Sequence, residues 1–229
     1  MSLLAVAKVA NRLQPILDEL VIVGGCAAAL LMPPTVTARP TDDVDCVSLI
    51  NTYAEFSVFE MKLRNLGCSE CREEGTPICR WIVDGIRTDF MPTEGRVLGF
   101  CNRWYSEVIK EPVVVELSGG LKIKVVNIPV FFATKFEAFA DRGGGVHYGS
   151  SDIEDIIALL AYRQDAVDLI AKAPLEIRLY LGEEARGLLA LTDIEDIVSG
   201  CFDGDKESQA LVPIVMNALR EIALLQRSQ

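Results

Sequence analysis

The 229-residue chain is half hydrophobic and carries a formal net charge of −11, with 22 Lys and Arg against 33 Asp and Glu. That balance argues against affinity built on long-range attraction to nucleic-acid phosphates, while leaving room for a basic partner protein or for a nucleic-acid substrate at a locally positive pocket around Arg39, Lys135 and Arg142. The apolar stretches 21–23 and 27–32 fall far short of the roughly 20 residues a bilayer span needs, so no membrane partner is expected.

Seven cysteines form an odd set without the density of a disulfide scaffold, which fits a reducing cytoplasm. Cys68 and Cys71 have redox or zinc spacing, with Cys79 near in sequence. No second close pair or nearby histidine completes a tetrahedral site, so ordinary thiols are the preferred reading.

In chain order, the N-terminus lacks a basic leader and repeats apolar residues through Leu13, Ile16, Leu17 and Leu20, the pattern of a first helix ending near Glu19 rather than of a signal peptide. Residues 20–23 read as a short buried strand that runs into Gly24-Gly25, and 26–32 as a helix stopped by Pro33-Pro34. A loop over 35–40 leads to a strand over 43–49, on which Asp43 and Asp45 share one face because side chains alternate with period two. A helix is predicted over 53–66, closed by Gly67.

The runs 78–83 and 86–91 flank Asp84-Gly85, a dipeptide suited to a two-residue hairpin turn. That turn sets Val83 opposite Ile86 and therefore Asp89 opposite Arg80. Asp89 then reaches Asp43 and Asp45 only if the hairpin lies beside the strand over 43–49. A second hairpin, 113–117 with 121–126, is expected around Ser118-Gly119-Gly120. Beyond Pro129 the period becomes helical, over 131–140, 153–162, 166–171, 176–181, 194–198 and 211–225, with Gly143-Gly144-Gly145 as the clearest joint. The expected fold class is α+β: a mixed sheet flanked by helices over 1–128, then a helical region over 129–229 that packs on this core and lines the acceptor side.

Carboxylates held close together repel unless a cation neutralises them, and hard oxygen ligands suit magnesium. A Gly-Gly turn that opens a helix lets backbone amides approach phosphate oxygens. Val21-Ile22-Val23-Gly24-Gly25, Arg39-Pro40-Thr41-Asp42-Asp43-Val44-Asp45 and Arg87-Thr88-Asp89-Phe90-Met91 together resemble the glycine turn, paired aspartates and third aspartate of the polymerase-β-like nucleotidyltransferase superfamily. Within it the likeness is nearest to the AbiEii-type bacterial nucleotidyltransferases, often toxin components. Lys135-Phe136-Glu137-Ala138, Asp141-Arg142 and Asp152-Ile153-Glu154-Asp155-Ile156 match that branch's lysine helix and later acidic helix. The resemblance covers roughly 20–163, and the stretch from Gly25 to Asp43 is longer than the family's usual spacing.

The resemblance implies a magnesium-dependent transfer of a nucleoside monophosphate from a nucleoside triphosphate to an acceptor hydroxyl on a protein, RNA or small molecule, with release of pyrophosphate. Asp43, Asp45 and Asp89 would hold two magnesium ions about 4 Å apart, and Gly24, Gly25, Arg39, Thr41, Lys135 and Asp155 would face the nucleotide and its phosphates. A cognate antitoxin is the implied protein partner. The competing readings are a catalytically silent nucleotide-binding or partner-binding module and an antibiotic nucleotidyltransferase. Residue by residue, Asp89 has an ordinary ion pair with Arg80 or Arg87 as its alternative, Lys135 the polar face of a core helix, and Asp152 is preferred as a plain first-turn acid.

Overall fold

The computed structural model describes residues 2–99, 102–142 and 147–225, so the glycine joint at 143–145 lies outside the described residues. The chain divides into two compact units, one of Met1–Leu30 and Ala38–Asn127, the other of Leu31–Thr37 and Ile128–Gln229.

The first unit is built on a seven-stranded mixed sheet in the order β3 (Ser69–Glu70), β4 (Arg80–Val83), β5 (Ile86–Pro92), β2 (Asp43–Ser48), β1 (Leu20–Val23), β7 (Lys122–Val125) and β6 (Val113–Glu116). Helix α1 (Ser2–Arg12) opens it and buries Val6, Val9 and Ala10. The helix stops at Arg12 and the chain resumes as a 3₁₀ turn, Gln14–Glu19, where the sequence pattern alone reads as one helix. Pro15 accounts for the difference: it has no amide hydrogen to give and its ring crowds the preceding turn. Strand β1 (Leu20–Val23) is buried on both faces and pairs antiparallel with β2 (Asp43–Ser48) and parallel with β7 (Lys122–Val125). Between β1 and β2 run α2 (Gly24–Leu31) and the connection 32–42.

Helix α3 (Tyr53–Asn65) begins at a capping box in which Thr52 Oγ1 accepts from the Glu55 amide and the Glu55 carboxylate accepts from the Thr52 amide. It buries Phe56, Phe59 and Leu63, and Phe59 meets Phe90 edge-on at 5.3 Å between ring centres. Phe90 alternates with Asp89 along its strand, so α3 covers the face opposite the carboxylates.

The Asp84-Gly85 hairpin forms in the expected register. Asp84 and Gly85 both take positive φ, 47° and 80°, and β4 (Arg80–Val83) pairs with β5 (Ile86–Pro92) as Val83 opposite Ile86 and Arg80 opposite Asp89. The second hairpin, β6 (Val113–Glu116) with β7, is present as well. Strand β3 (Ser69–Glu70) and the single-turn helices α4 (Gly95–Leu98) and α5 (Tyr105–Val108) are too short to leave a periodic signature in the sequence.

In the second unit every described element is helical: α6 (Ile128–Asp141), α7 (Ser151–Tyr162), α8 (Ala166–Ala171), α9 (Leu175–Leu189), α10 (Ile194–Gly200), α11 (Lys206–Gln209) and α12 (Val212–Leu224). Phe132, Phe136, Ile156, Leu160, Leu181 and Leu219 converge in its core. Helix α9 runs well past the expected 176–181 because Gly182, which interrupts the apolar pattern, is itself buried against neighbours. Among the described residues no helix is long and apolar enough to cross a membrane.

Thr52→Ala removes the capping acceptor of α3. Urea denaturation is expected to show a loss of about 1 kcal/mol.

Candidate metal and phosphate site

The site grows out of strand order. β2 lies between β1 and β5, and its parallel register with β5 sets Asp43 beside Arg87, Asp45 beside Asp89 and Cys46 beside Phe90. Asp43, Asp45 and Asp89 therefore project from one face. One oxygen from each lies within 4.8 Å of the others, with Asp43 and Asp45 half-buried and Asp89 buried. The condition on the third aspartate, that its hairpin lie beside the second strand, is met.

On the other side of β2, Val23 pairs with Asp45, which puts the Gly24 turn directly against the carboxylates. Gly24 has φ +65°, and a Cβ there would stand 2.0 Å from Asp45 Oδ2. The Asp45 carboxylate thus occupies the space that any side chain at position 24 would need. A Cβ on Gly25 would meet Thr41 Oγ1 at 3.3 Å and Arg39 Nη2 at 3.5 Å, so the connection from α2 folds a hydroxyl and a guanidinium over the first turn of that helix. Amides in a first helical turn lack carbonyl partners within the helix, and the helix dipole adds partial positive charge there. The long Gly25-to-Asp43 spacing is accommodated by α2 and this returning connection, with the glycine turn still beside Asp45.

Thr41 Oγ1 donates to Asp43 Oδ1 at 3.0 Å. Arg80 makes the strongest contacts in the cluster: its Nε donates to Asp89 Oδ1 and its Nη2 to Asp89 Oδ2, both at 2.7 Å, and Nη2 also reaches Asp43 Oδ2 at 3.2 Å. The hydrogen bond to Asp89 raises the guanidinium pKa above its ordinary value. Arg80 is legible in the sequence only as the cross-strand neighbour of Asp89. Its second bond, to Asp43, depends on the β2–β5 pairing and has no local signal. Arg87 points into solvent.

Three thiols lie around the carboxylates. Burial, reinforced by Asp45 and then Asp43, pushes Cys26 up to about 12; burial and Asp89 push Cys79 to about 12; burial and Asp45 hold Cys46 well above its ordinary value. The donor atoms that converge in the cluster are hard carboxylate oxygens, a set that suits magnesium or manganese. Among the described residues this trio is the group whose geometry suits a metal ion.

Lys135 and Asp155 belong to the second unit, where they pair with each other. Lys135 Nζ lies 2.7 Å from Asp155 Oδ2 and 3.1 Å from Asp152 Oδ1, and Arg142 reaches the other Asp152 oxygen. Asp152 sits in the first turn of α7 as expected. However, it is buried and doubly ion-paired, and does more than offset the helix dipole in solvent. Side-chain exposures of 8% for Lys135, 3% for Asp152 and 6% for Asp155 make this a buried ion cluster. The i, i+3 spacing of the two aspartates supplies the two-pronged acceptor.

Solved structures similar to this chain include the following two. A nucleotidyltransferase-like antigenic protein of Paracoccidioides brasiliensis superposes with a TM-score of 0.51 at 16% identity, over 86% of this chain and 93% of that one. JHP933 of Helicobacter pylori gives a TM-score of 0.43 at 10% identity, over 98% of this chain and 92% of that one. No family model and no curated protein matches the chain.

Gly24→Ala forces an alanine into left-handed φ and against Asp45, so a stability loss of at least about 1–2 kcal/mol by denaturant titration is expected, with manganese binding weakened at the same time. Lys135→Met strips two buried carboxylates of their shared cation and should cost about 3–5 kcal/mol in the same measurement. The fold, a mixed sheet flanked by helices, is nucleotidyltransferase-like.

Proposed function

We propose that the protein is a magnesium-dependent nucleotidyltransferase that moves a nucleoside monophosphate from a nucleoside triphosphate to an acceptor hydroxyl and releases pyrophosphate. The observation that carries the reading is the register of β2: it sets Asp45 beside Asp89 on one edge and beside the Gly24 turn on the other. Carboxylates for a hard cation and a helix start for phosphate are thereby adjacent.

Asp43, Asp45 and Asp89 would hold two magnesium ions. Bound there, magnesium supplies Lewis-acid chemistry, lowering the pKa of the acceptor hydroxyl and offsetting charge on the triphosphate. The chain's own residues bind and orient. The Gly25 region presents backbone amides at the start of α2, and Arg39 and Thr41 stand over it to contact phosphate oxygens. Thr41 also fixes the orientation of Asp43 through their hydrogen bond. Gly24 lets the Asp45 carboxylate approach the turn, which keeps the metal side and the phosphate side in contact. The reading asks nothing of Lys135 and Asp155 beyond the ion cluster they form.

The acceptor class is protein, RNA or small molecule, and the role of a cytoplasmic toxin restrained by an antitoxin would follow from the likeness to the AbiEii-type branch carried by Lys135-Phe136-Glu137-Ala138, Asp141-Arg142 and Asp152-Ile153-Glu154-Asp155-Ile156. The chain's acidity suits a basic partner.

Incubation with an α-labelled triphosphate, magnesium and cell extract is expected to label an acceptor. Asp43→Asn and Asp45→Asn should each lower labelling by about 10³-fold or more while leaving the melting temperature unchanged or raised, since each variant relieves repulsion between carboxylates. Triphosphate binding without transfer to any acceptor would favour the silent binding module. Labelling that survives both substitutions would refute the two-metal role.

A further inference from the structure

The carboxylate cluster carries a cation of its own. Arg80 stands on β4 opposite Asp89 and spans two of the three proposed metal ligands, gripping Asp89 with two parallel bonds of 2.7 Å and touching Asp43 with one of 3.2 Å. Both Asp43 oxygens are engaged, Oδ1 by Thr41 and Oδ2 by Arg80. The two arms differ in strength. The fork on Asp89 is short, two-pronged and only 10% exposed at the carboxylate, whereas the Asp43 contact is single, longer and 31% exposed. A divalent ion shared by Asp43, Asp45 and Asp89 needs the same oxygens and would face a fixed positive charge within a few ångströms.

We propose that Arg80 is a positioning residue that acts as resident counter-ion and competitor of the divalent metal. It holds Asp43 and Asp89 together when no metal is bound, and it yields Asp43 while keeping the Asp89 fork when the metal enters. The inference rests on the metal-site reading above. It adds that affinity for the metal is set by a displaceable guanidinium. A metal that arrives with the negatively charged triphosphate is then favoured over the metal alone, because the phosphates offset the repulsion from Arg80.

The test is manganese(II) binding to the full chain, followed by loss of the free-ion paramagnetic resonance signal, for wild type, Arg80→Gln and Arg80→Lys. Removing the charge should tighten manganese binding at least about tenfold. The chelator-treated glutamine variant should also melt lower than wild type, with manganese restoring the difference. Arg80→Lys keeps the charge without the fork and should stay near the wild-type affinity. This arm still decides the matter if the glutamine variant does not fold. Unchanged or weaker binding by Arg80→Gln, or a marked loss in Arg80→Lys, would show that Arg80 only buttresses Asp89 and would overturn this inference alone. Failure of all three proteins to bind manganese would overturn the metal site along with it.

Discussion

The pairing of β2 with both β1 and β5 is the constraint on which the site depends. A strand of six residues brings Asp43 and Asp45 to one face, and its two neighbours deliver everything else: the Gly24 turn from β1, Asp89 from β5. A slip of one residue on either side would turn the carboxylates to the α3 face, into contact with apolar groups such as Phe90. Burial opposes that slip. Val44, Cys46, Trp81 and Phe90 fill the α3 side, and none could move to the carboxylate face without exposing apolar surface. The hydrophobic pattern that stabilises the sheet is therefore the same pattern that assembles the polar site.

Assembly leaves an electrostatic problem that the fold answers locally. Carboxylates this close repel one another, and burial pushes the neighbouring Cys26 and Cys79 thiols up to about 12. Arg80 supplies a positive charge and Thr41 a neutral hydrogen bond, which together orient Asp43 and Asp89. The second unit contains the opposite design. Lys135 and Arg142 match Asp152 and Asp155 charge for charge, and the cluster is closed off from solvent except at Arg142.

What could be read from the sequence was whatever local chemistry fixes. Asp84-Gly85 dictates a two-residue hairpin, and the turn alone sets Arg80 opposite Asp89. Period-two alternation places Asp43 with Asp45, and Pro33-Pro34 ends α2 within a residue or so of its actual limit. Other features were not legible because they depend on pairings between distant segments. That Arg80 also reaches Asp43 follows from β2 lying beside β5, which no local pattern encodes. The burial of Asp152 and its bond to Lys135 arise from the packing of α6 on α7, whereas a first-turn aspartate by itself reads as a solvated acid. Pro15 is the instructive case in the other direction. A helical apolar pattern continues through it, but the backbone follows the proline and not the pattern.

The proposed transfer requires three carboxylates to share a hard cation beside a helix start that takes phosphate. A crystal of the full chain soaked with manganese and a non-hydrolysable nucleoside triphosphate tests it most directly. Anomalous density is expected between Asp43, Asp45 and Asp89, with triphosphate oxygens on the start of α2 and Arg39. Triphosphate bound elsewhere, or the manganese signal absent from the trio while Arg80 still bridges Asp43 and Asp89, would contradict it.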